Sequence, residues 1–523
     1  MLPTAAAAAL AACGRAAQLR TVVNVRDYGT VGDGKADESA AIKAAVAALR
    51  PGCVLRFPSG SYRFAQRHPS GSAAIAIIGL SDVAIEFDTG TELVMDNLDE
   101  NTGAGTSHGI LIRGPASRIA LRNIKIRWSR QTTRSFGDGI RILGYPAGIP
   151  SPPVGWTGPP TPVDDVEISG CEVRSSPQAG VILIGTSGIK ISGLKVQGTS
   201  ADGLHFNACR QASVDDFSAQ DNGDDGLALV TYFAESTTFD EAAQTFAFPA
   251  LTDWSNADFA ITNITVAGGR ANGVRLSGVN RVSLTGLTAS DRQSGAGVMV
   301  DSASTVRAES AWRYVASRGV RLSKVAVSGC ETGVHVLARP SDTGDSRFTD
   351  FDVDITDATF RSCSNWSVRI ESPTAQPVAG VALRACDVDA SSSTGGHGGV
   401  GMGNAALITL GDISVTHTQP VILFSATDTA NFMLNRLQLT ITDSGTREFA
   451  PIPCALFEDS SGTVNELSVR WLDAPATWIP IRVADSHDHG DHEACVNPYV
   501  PSPVYIRDVA IDPTFVTNRI GRC

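Results

Sequence analysis

The sequence predicts an all-β solenoid: a single-stranded parallel β-helix of coils about 23 residues long, closed at its start by one short helix. A repeated phrase predicts it first. A small or acidic residue, then Gly, then an apolar-x-apolar strand recurs as His108-Gly-Ile-Leu-Ile, Asp138-Gly-Ile-Arg-Ile, Ala179-Gly-Val-Ile-Leu and Asp202-Gly-Leu-His-Phe. It continues as Asp225-Gly-Leu-Ala-Leu, Asn272-Gly-Val-Arg-Leu, Ala296-Gly-Val-Met-Val and Thr332-Gly-Val-His-Val. Spacing predicts it second. Gly180, Gly203 and Gly226 are 23 residues apart, Gly273 and Gly297 are 24 apart, and the 47 from Gly226 to Gly273 make two coils or one coil with a long insertion. Composition is the third observation: 51 Gly, 6% aromatic and 18% charged residues suit short strands, frequent corners and a narrow lumen.

Residues 1–20 read as a leader, short, apolar and rich in small residues. Leu10-Ala-Ala-Cys13-Gly14 resembles a bacterial lipoprotein processing box, without the Lys or Arg expected before the apolar stretch; an Ala-rich leader that ends in Cys by coincidence reads the same way. Lipidation of Cys13 would anchor the chain to a membrane, and either version implies a secreted or cell-surface protein. Glu38 to Leu49 is the one clear helix, with Ile42, Val46 and Leu49 on one stripe, Asp37 or Ser39 as its cap and Pro51-Gly52 as its stop. Such a helix covers the open edge and apolar lumen of the first coil. Residues 21–475 form the solenoid, where strands of period-two alternation such as Ile189-Lys-Ile-Ser-Gly-Leu-Lys-Val are separated by Gly or Asn corners. The missing long helical patterns exclude a doubly wound α/β sheet. Residues 476–523 are expected as a C-terminal cap or tail. There is no apolar run of transmembrane length.

Equivalent positions on neighbouring coils stack about 4.8 Å apart. The residue before each repeated Gly therefore belongs to a column holding Asp138, Ala179, Asp202, Asp225 and Asn272. Asp202 and Asp225 are one coil apart, and Asp224 sits beside Asp225. Three carboxylates at one spot repel one another, which keeps one of them protonated near neutral pH. Glycoside hydrolysis needs such a pairing, an acid for the leaving oxygen and a carboxylate to activate water or attack. A lone Asp-Gly corner, as at Asp138, is commonly structural.

Val25-Arg-Asp-Tyr-Gly-Thr-Val-Gly-Asp-Gly-Lys-Ala-Asp-Glu-Ser-Ala-Ala-Ile, followed by Leu55-Arg-Phe-Pro-Ser-Gly-Ser-Tyr62, resembles the opening of the pectate-lyase-like superfamily, which includes the polygalacturonases. The resemblance covers roughly residues 20 to 400 and implies a right-handed parallel β-helix. Ser200-Ala-Asp202-Gly and Asn222-Gly-Asp224-Asp225-Gly resemble the two acidic motifs of polygalacturonases. Carried over, Asp224 is the general acid, Asp202 and Asp225 hold the attacking water, and cleavage inverts the anomeric carbon. The family's Gly-His-Gly and Arg-Ile-Lys phrases are missing. If Ala271-Asn-Gly-Val-Arg-Leu-Ser277 stands for the first, Asn272 replaces its His; if it stands for the second, Arg275 is kept and Ser277 replaces the Lys. That weakens the case for galacturonate and favours a neutral polysaccharide, an α-glucan or arabinan-type chain.

Substrate contacts are expected from Asn272, Arg275, His205, Asp138, Trp156 and Tyr232, the last two on long insertions whose aromatic rings suit sugar faces or simply cover the solenoid's flank. The net charge of −12 argues against nucleic acid as a partner. The chemistry needs no cofactor, and no catalytic metal is expected. His487-Asp-His489-Gly-Asp491-His492 matches a metallo-β-lactamase phrase, but too little chain follows to complete that fold; it reads as a polar loop or a structural zinc site. Ten cysteines suit an oxidising compartment, with Cys495 and Cys523 able to staple the C-terminal end. Cys363 and Cys386, one 23-residue coil apart, are expected to be bonded or adjacent. Two rival readings share the fold. A calcium-dependent lyase would use Arg275 or Arg141 as base, and a binding solenoid would need no catalytic groups.

Overall fold

A computed structural model describes residues 21–149, 152–231, 240, 255–304, 313–340, 344–374, 376–442, 452–484, 504–512 and 520–522. The chain is a right-handed parallel β-helix. Every long ladder between described strands is parallel and joins one coil to the next, as in Val181–Ile184 on Leu204–Asn207 and Leu204–Asn207 on Leu227–Val230. Leu227 pairs directly with Val274, so the 47-residue step is one coil with an insertion.

Period-two alternation builds the lumen. Ile140, Val181, Leu204, Leu227, Val274, Val298 and Val334 stack as one fully buried inward column. Each such side chain contributes roughly 1.5–3 kcal/mol by leaving water. Corners stack as well. Gly170, Gly193, Asp216, Asn263, Gly286 and Lys324 fall on successive coils, all in the left-handed region that Gly, Asn and Asp adopt most easily. The repeated Gly has a different reason. At Gly203 a Cβ would lie 2.5 Å from the Gly226 carbonyl oxygen, and at Gly226 2.8 Å from that of Gly273, so the column admits no side chain there.

The helix spans Ser39–Ala47, shorter than Glu38 to Leu49, and packs Ile42 and Ala45 over the first coils. Asp37 accepts from the Ser39 amide at 3.1 Å, yet neither Asp37 nor Ser39 occupies the cap position. Glu38 stands at the cap position itself and instead accepts from Val31 N (2.5 Å) and Gly32 N (2.6 Å).

Two expectations are corrected. The parallel ladder does not stop near residue 475: Ile481–Ala484 pairs with Ala455–Glu458, and Val504–Asp512 with Gly462–Trp471. The C-terminal segment thus carries further coils, whose period-two pattern is too short to stand out in sequence. Cys386 stacks on Ala358, not on Cys363, because the coil there is 28 residues long. Cys363 lies over Cys330 instead, with Ser364 N donating to the Cys330 carbonyl at 3.1 Å. All seven cysteines among the described residues are buried and unbonded. Cys13, Cys495, Cys523, Tyr232 and the His487–His492 cluster lie outside the described residues. Among the described residues no helix is long and apolar enough to cross a membrane.

Candidate active site

The strand register places His108, Asp138, Ala179, Asp202, Asp225, Asn272, Ala296 and Thr332 in one column along the helix. Asp202 and Asp225 are neighbours in it: the Asp225 amide donates to Asp202 Oδ1 at 3.0 Å. One oxygen from each of Asp202, Asp224 and Asp225 lies within 4.8 Å of the others. The predicted trio therefore comes together.

Its members differ. Asp225 is buried, and accepts at Oδ1 from Asn272 N (3.0 Å) and Asn272 Nδ2 (2.8 Å). Burial raises its carboxyl, Arg275 pulls it back, Asp202 and Asp224 push it up again, and it rests at about 7. Asp202 lies 2.6 Å from Nδ1 of the buried His205. Asp224 is half-exposed and pairs with the exposed Arg134 at 2.8 Å. Three oxygens this close also suit a cation, but four of the trio's oxygens are already claimed, Asp202 Oδ1 by the Asp225 amide, Asp202 Oδ2 by His205, Asp225 Oδ1 by Asn272 and Asp224 Oδ2 by Arg134. The trio is also tighter than the roughly 6.5–9.5 Å between carboxyls in inverting enzymes. Asp224 is thus not set apart on the far side of a bond, as single displacement leads one to expect.

The predicted binding residues fall into three groups. Asn272 positions the trio, because Oδ1 also accepts from Ala296 N at 2.9 Å. Arg275 reaches to 4.0 Å from Asp225 Oδ2 but is held by Asp301 (2.9 Å) and by Tyr314 Oη (2.7 Å). Burial works against its charge, yet Asp301, Tyr314 and Asp225 together hold it well above the ordinary arginine range. That hold on its proton works against a role as the base of an elimination. Asp138 lies apart from the trio, with Ala179 N donating to it at 2.9 Å and Arg141 at 2.7 Å. Trp156 packs edge-on to Tyr145 (5.3 Å) against the apolar patch of Leu143, Ile184 and Ala208. It sits on the outward face that also carries His205.

Sequence reasoning missed three groups here. Arg134 comes from a corner three coils before Asp224, and no spacing rule reaches it. Arg292 is buried and donates to the backbone oxygens of Asp224 (2.6 Å) and Ala271 (2.8 Å), fixing the turn that presents the acids. Asp301 was visible: it ends the phrase Val298-Met-Val-Asp301 and stacks directly on Ser277. Beside Asp224 opens a polar pocket of about 490 Å³, lined by Gln131, Arg134, Ser200, Asn222, Arg270 and Gln293 among others.

Residues 22–147 match the family described as rhamnogalacturonase A/epimerase, pectate lyase-like. The opening coils are pectate lyase-like. No protein with a curated description matches the sequence. Among solved structures, a family 28 exopolygalacturonase of Yersinia enterocolitica shares 14% identity over 86% of this chain and 78% of its own, with a TM-score of 0.46. The A-module of an Azotobacter vinelandii mannuronan C-5 epimerase shares 14% over 84% and 98%, with 0.46. The catalytic unit of a family 87 α-1,3-glucanase from Streptomyces thermodiastaticus shares 15% over 95% and 69%, with 0.45. The strand register fixes the fold independently of these likenesses, and the chemistry rests on the side chains.

Proposed function

We propose that this protein is a secreted or cell-surface glycoside hydrolase that cuts a neutral polysaccharide at the Asp202–Asp224–Asp225 trio. The observation that carries the reading is a buried carboxyl poised at about 7 beside two further carboxylates. Near neutral pH the trio is poised between holding and releasing one proton, which Asp225 takes up most readily. Of the three, Asp224 has the most exposed carboxyl and the best access to a glycosidic oxygen. A sugar that displaces Arg134 and covers Asp224 raises its proton affinity. The proton then moves across the cluster from Asp225 to Asp224. That single shift makes Asp224 the acid and frees Asp225 and Asp202 to activate water. Inverting geometry requires Asp224, once released from Arg134, to swing toward the bond.

A neutral substrate follows from the cations. Of the guanidiniums nearest Asp225, Arg275 is committed to Asp301 and Arg292 to backbone oxygens, and both keep those partners when a sugar displaces Arg134. A buried sugar carboxylate would find no uncommitted guanidinium among them, at a steep cost in free energy. The test is reducing-end release by the purified protein from a panel of neutral and acidic polysaccharides, with and without chelator. Proton NMR of the first-formed anomer then reads the stereochemistry. Chelator-resistant cleavage of an α-glucan or arabinan with inversion is expected. Cleavage of polygalacturonate alone, or retention at the anomeric carbon, overturns the corresponding part of the reading.

A further inference from the structure

Downstream of the trio, the outward face of the same strands changes character. Its residues stack in register as His205, Ala228, Arg275, Met299, His335, Arg369 and Gly401. His205 and Ala228 are buried, whereas Arg275, Met299, His335 and Arg369 are all half-exposed. The face therefore opens into a strip that starts at the trio and runs along the helix axis.

Beyond Arg275 this strip carries polar groups that the proposed chemistry does not use. His335 Nε2 lies 3.1 Å from Glu371 Oε1, and Arg369 Nη2 lies 2.8 Å from Glu371 Oε2. One coil further on there is no side chain on the strip, because Gly401 stands there. Trp366 occupies the space instead: a Cβ on Gly401 would fall 2.7 Å from the indole. The His397 ring stacks on Trp366 at 4.5 Å and 25°, and both rings are half-exposed.

We infer that His335, Arg369, Glu371 and the Trp366–His397 pair form a remote subsite for the same polysaccharide chain, several sugar rings from the bond that is cut. The inference rests on the proposed function for the identity of the ligand, and on the strip's continuity with the trio for its direction. An aromatic step suits the C–H face of a pyranose. Beside it, a paired cation and carboxylate offer donors and an acceptor within one patch, which suits vicinal hydroxyls. The charge of Arg369 is already balanced by Glu371, so the patch favours a neutral ring over a uronate. Successive coils rise about 4.8 Å, so a glycan lying along the axis meets the ring pair four coils after Arg275.

The experiment uses the full chain and a ladder of α-glucan oligosaccharides from short to long. Wild type is expected to gain in kcat/KM with chain length. Trp366→Ala should lose that gain, about tenfold in KM for the longest members, with kcat and the shortest substrates unchanged. Gly401→Ala is the second variant, since it displaces the indole without removing it, and should act in the same direction; thermal melts check that both fold. Retention of the length dependence by both variants overturns the subsite and leaves the hydrolase reading standing. Titration of the immobilised ladder onto Asp225→Asn reads binding without turnover. If wild type binds long chains but cleaves none, the hydrolase reading falls, and the affinity of the Trp366→Ala variant still decides the subsite.

Discussion

Asp138 and Asp225 occupy the same point of the coil, each just before the repeated Gly and each buried, yet one carboxyl is held at about 2 and the other pushed up to about 7. Burial raises both. The difference lies three residues on. Asp138 is followed by Arg141, buried with it on the same strand at 2.7 Å. His108 Nδ1 lies 3.2 Å from Asp138 Oδ2, but the Asp138 amide already donates to that nitrogen at 3.0 Å, so Arg141 is the chief counter-charge. The residue in register with Arg141 on the strand of Asp225 is Ala228. Its nearest guanidinium, Arg275, stands a coil away and belongs mostly to Asp301. The missing cation, together with the like charges of Asp202 and Asp224, thus turns the same corner from a closed ion pair into a proton store.

The largest way to break this comparison is to remove each carboxylate in turn. Asp225→Asn and Asp224→Asn are expected to lower hydrolysis by about 10²–10⁴-fold, the scale of lost acid–base catalysis, with the fold intact by circular dichroism. Asp138→Asn should leave turnover per folded molecule within a few-fold of wild type. Near-normal kcat in Asp225→Asn would mean that the two corners do not differ in function. Stability should show the reverse. Asp138→Asn leaves Arg141 buried without its carboxylate, a loss of about 3–5 kcal/mol by denaturant titration. Asp225→Asn relieves a crowd of like charges and should leave the protein as stable or more so at pH 7.

This contrast was on the page in the sequence. Asp138-Gly-Ile-Arg, Asp202-Gly-Leu-His and Asp225-Gly-Leu-Ala differ at the position that faces back toward the acid, so the sign of each partner was legible once the strand register was known. The fold and the trio were legible for the same reason: stacking at constant spacing turns sequence distance into spatial distance. Where spacing varied, the reading failed. Cys363 and Cys386 were paired by counting 23 where the coil has 28 residues. Arg134, Arg292 and the Trp366–His397 step arrive from corners whose lengths no repeat dictates.

A smaller effect sharpens the comparison through pH. The folded protein holds the Asp225 proton up to about 7, whereas the unfolded chain releases it near the ordinary 3.8. The folded state therefore binds more protons between those values, and stability should fall as pH rises through that window, by roughly 4 kcal/mol for this group. Asp225→Asn should flatten the slope in melting temperature between pH 4 and 7, about the window just given. An unchanged slope would place the proton elsewhere in the trio.

Asp138 sets the smallest and opposite slope. Its carboxyl is held at about 2 when folded, against 3.8 when unfolded, so the ion pair's contribution is complete above the unfolded value and is lost as pH falls toward the folded one. The loss amounts to roughly 2 kcal/mol, confined to the acid limb. Melting temperature followed from about pH 5 down to 2 should therefore drop in wild type and drop less in Asp138→Asn, whose loss is already present at neutral pH. Below about pH 3.8 Asp225 is protonated in both the folded and the unfolded state, so over that lower part of the range its variant should track the wild-type acid limb. If Asp225→Asn flattened the acid limb and Asp138→Asn did not, the two corners would have exchanged roles, and Arg141 would not be the side chain that tells them apart.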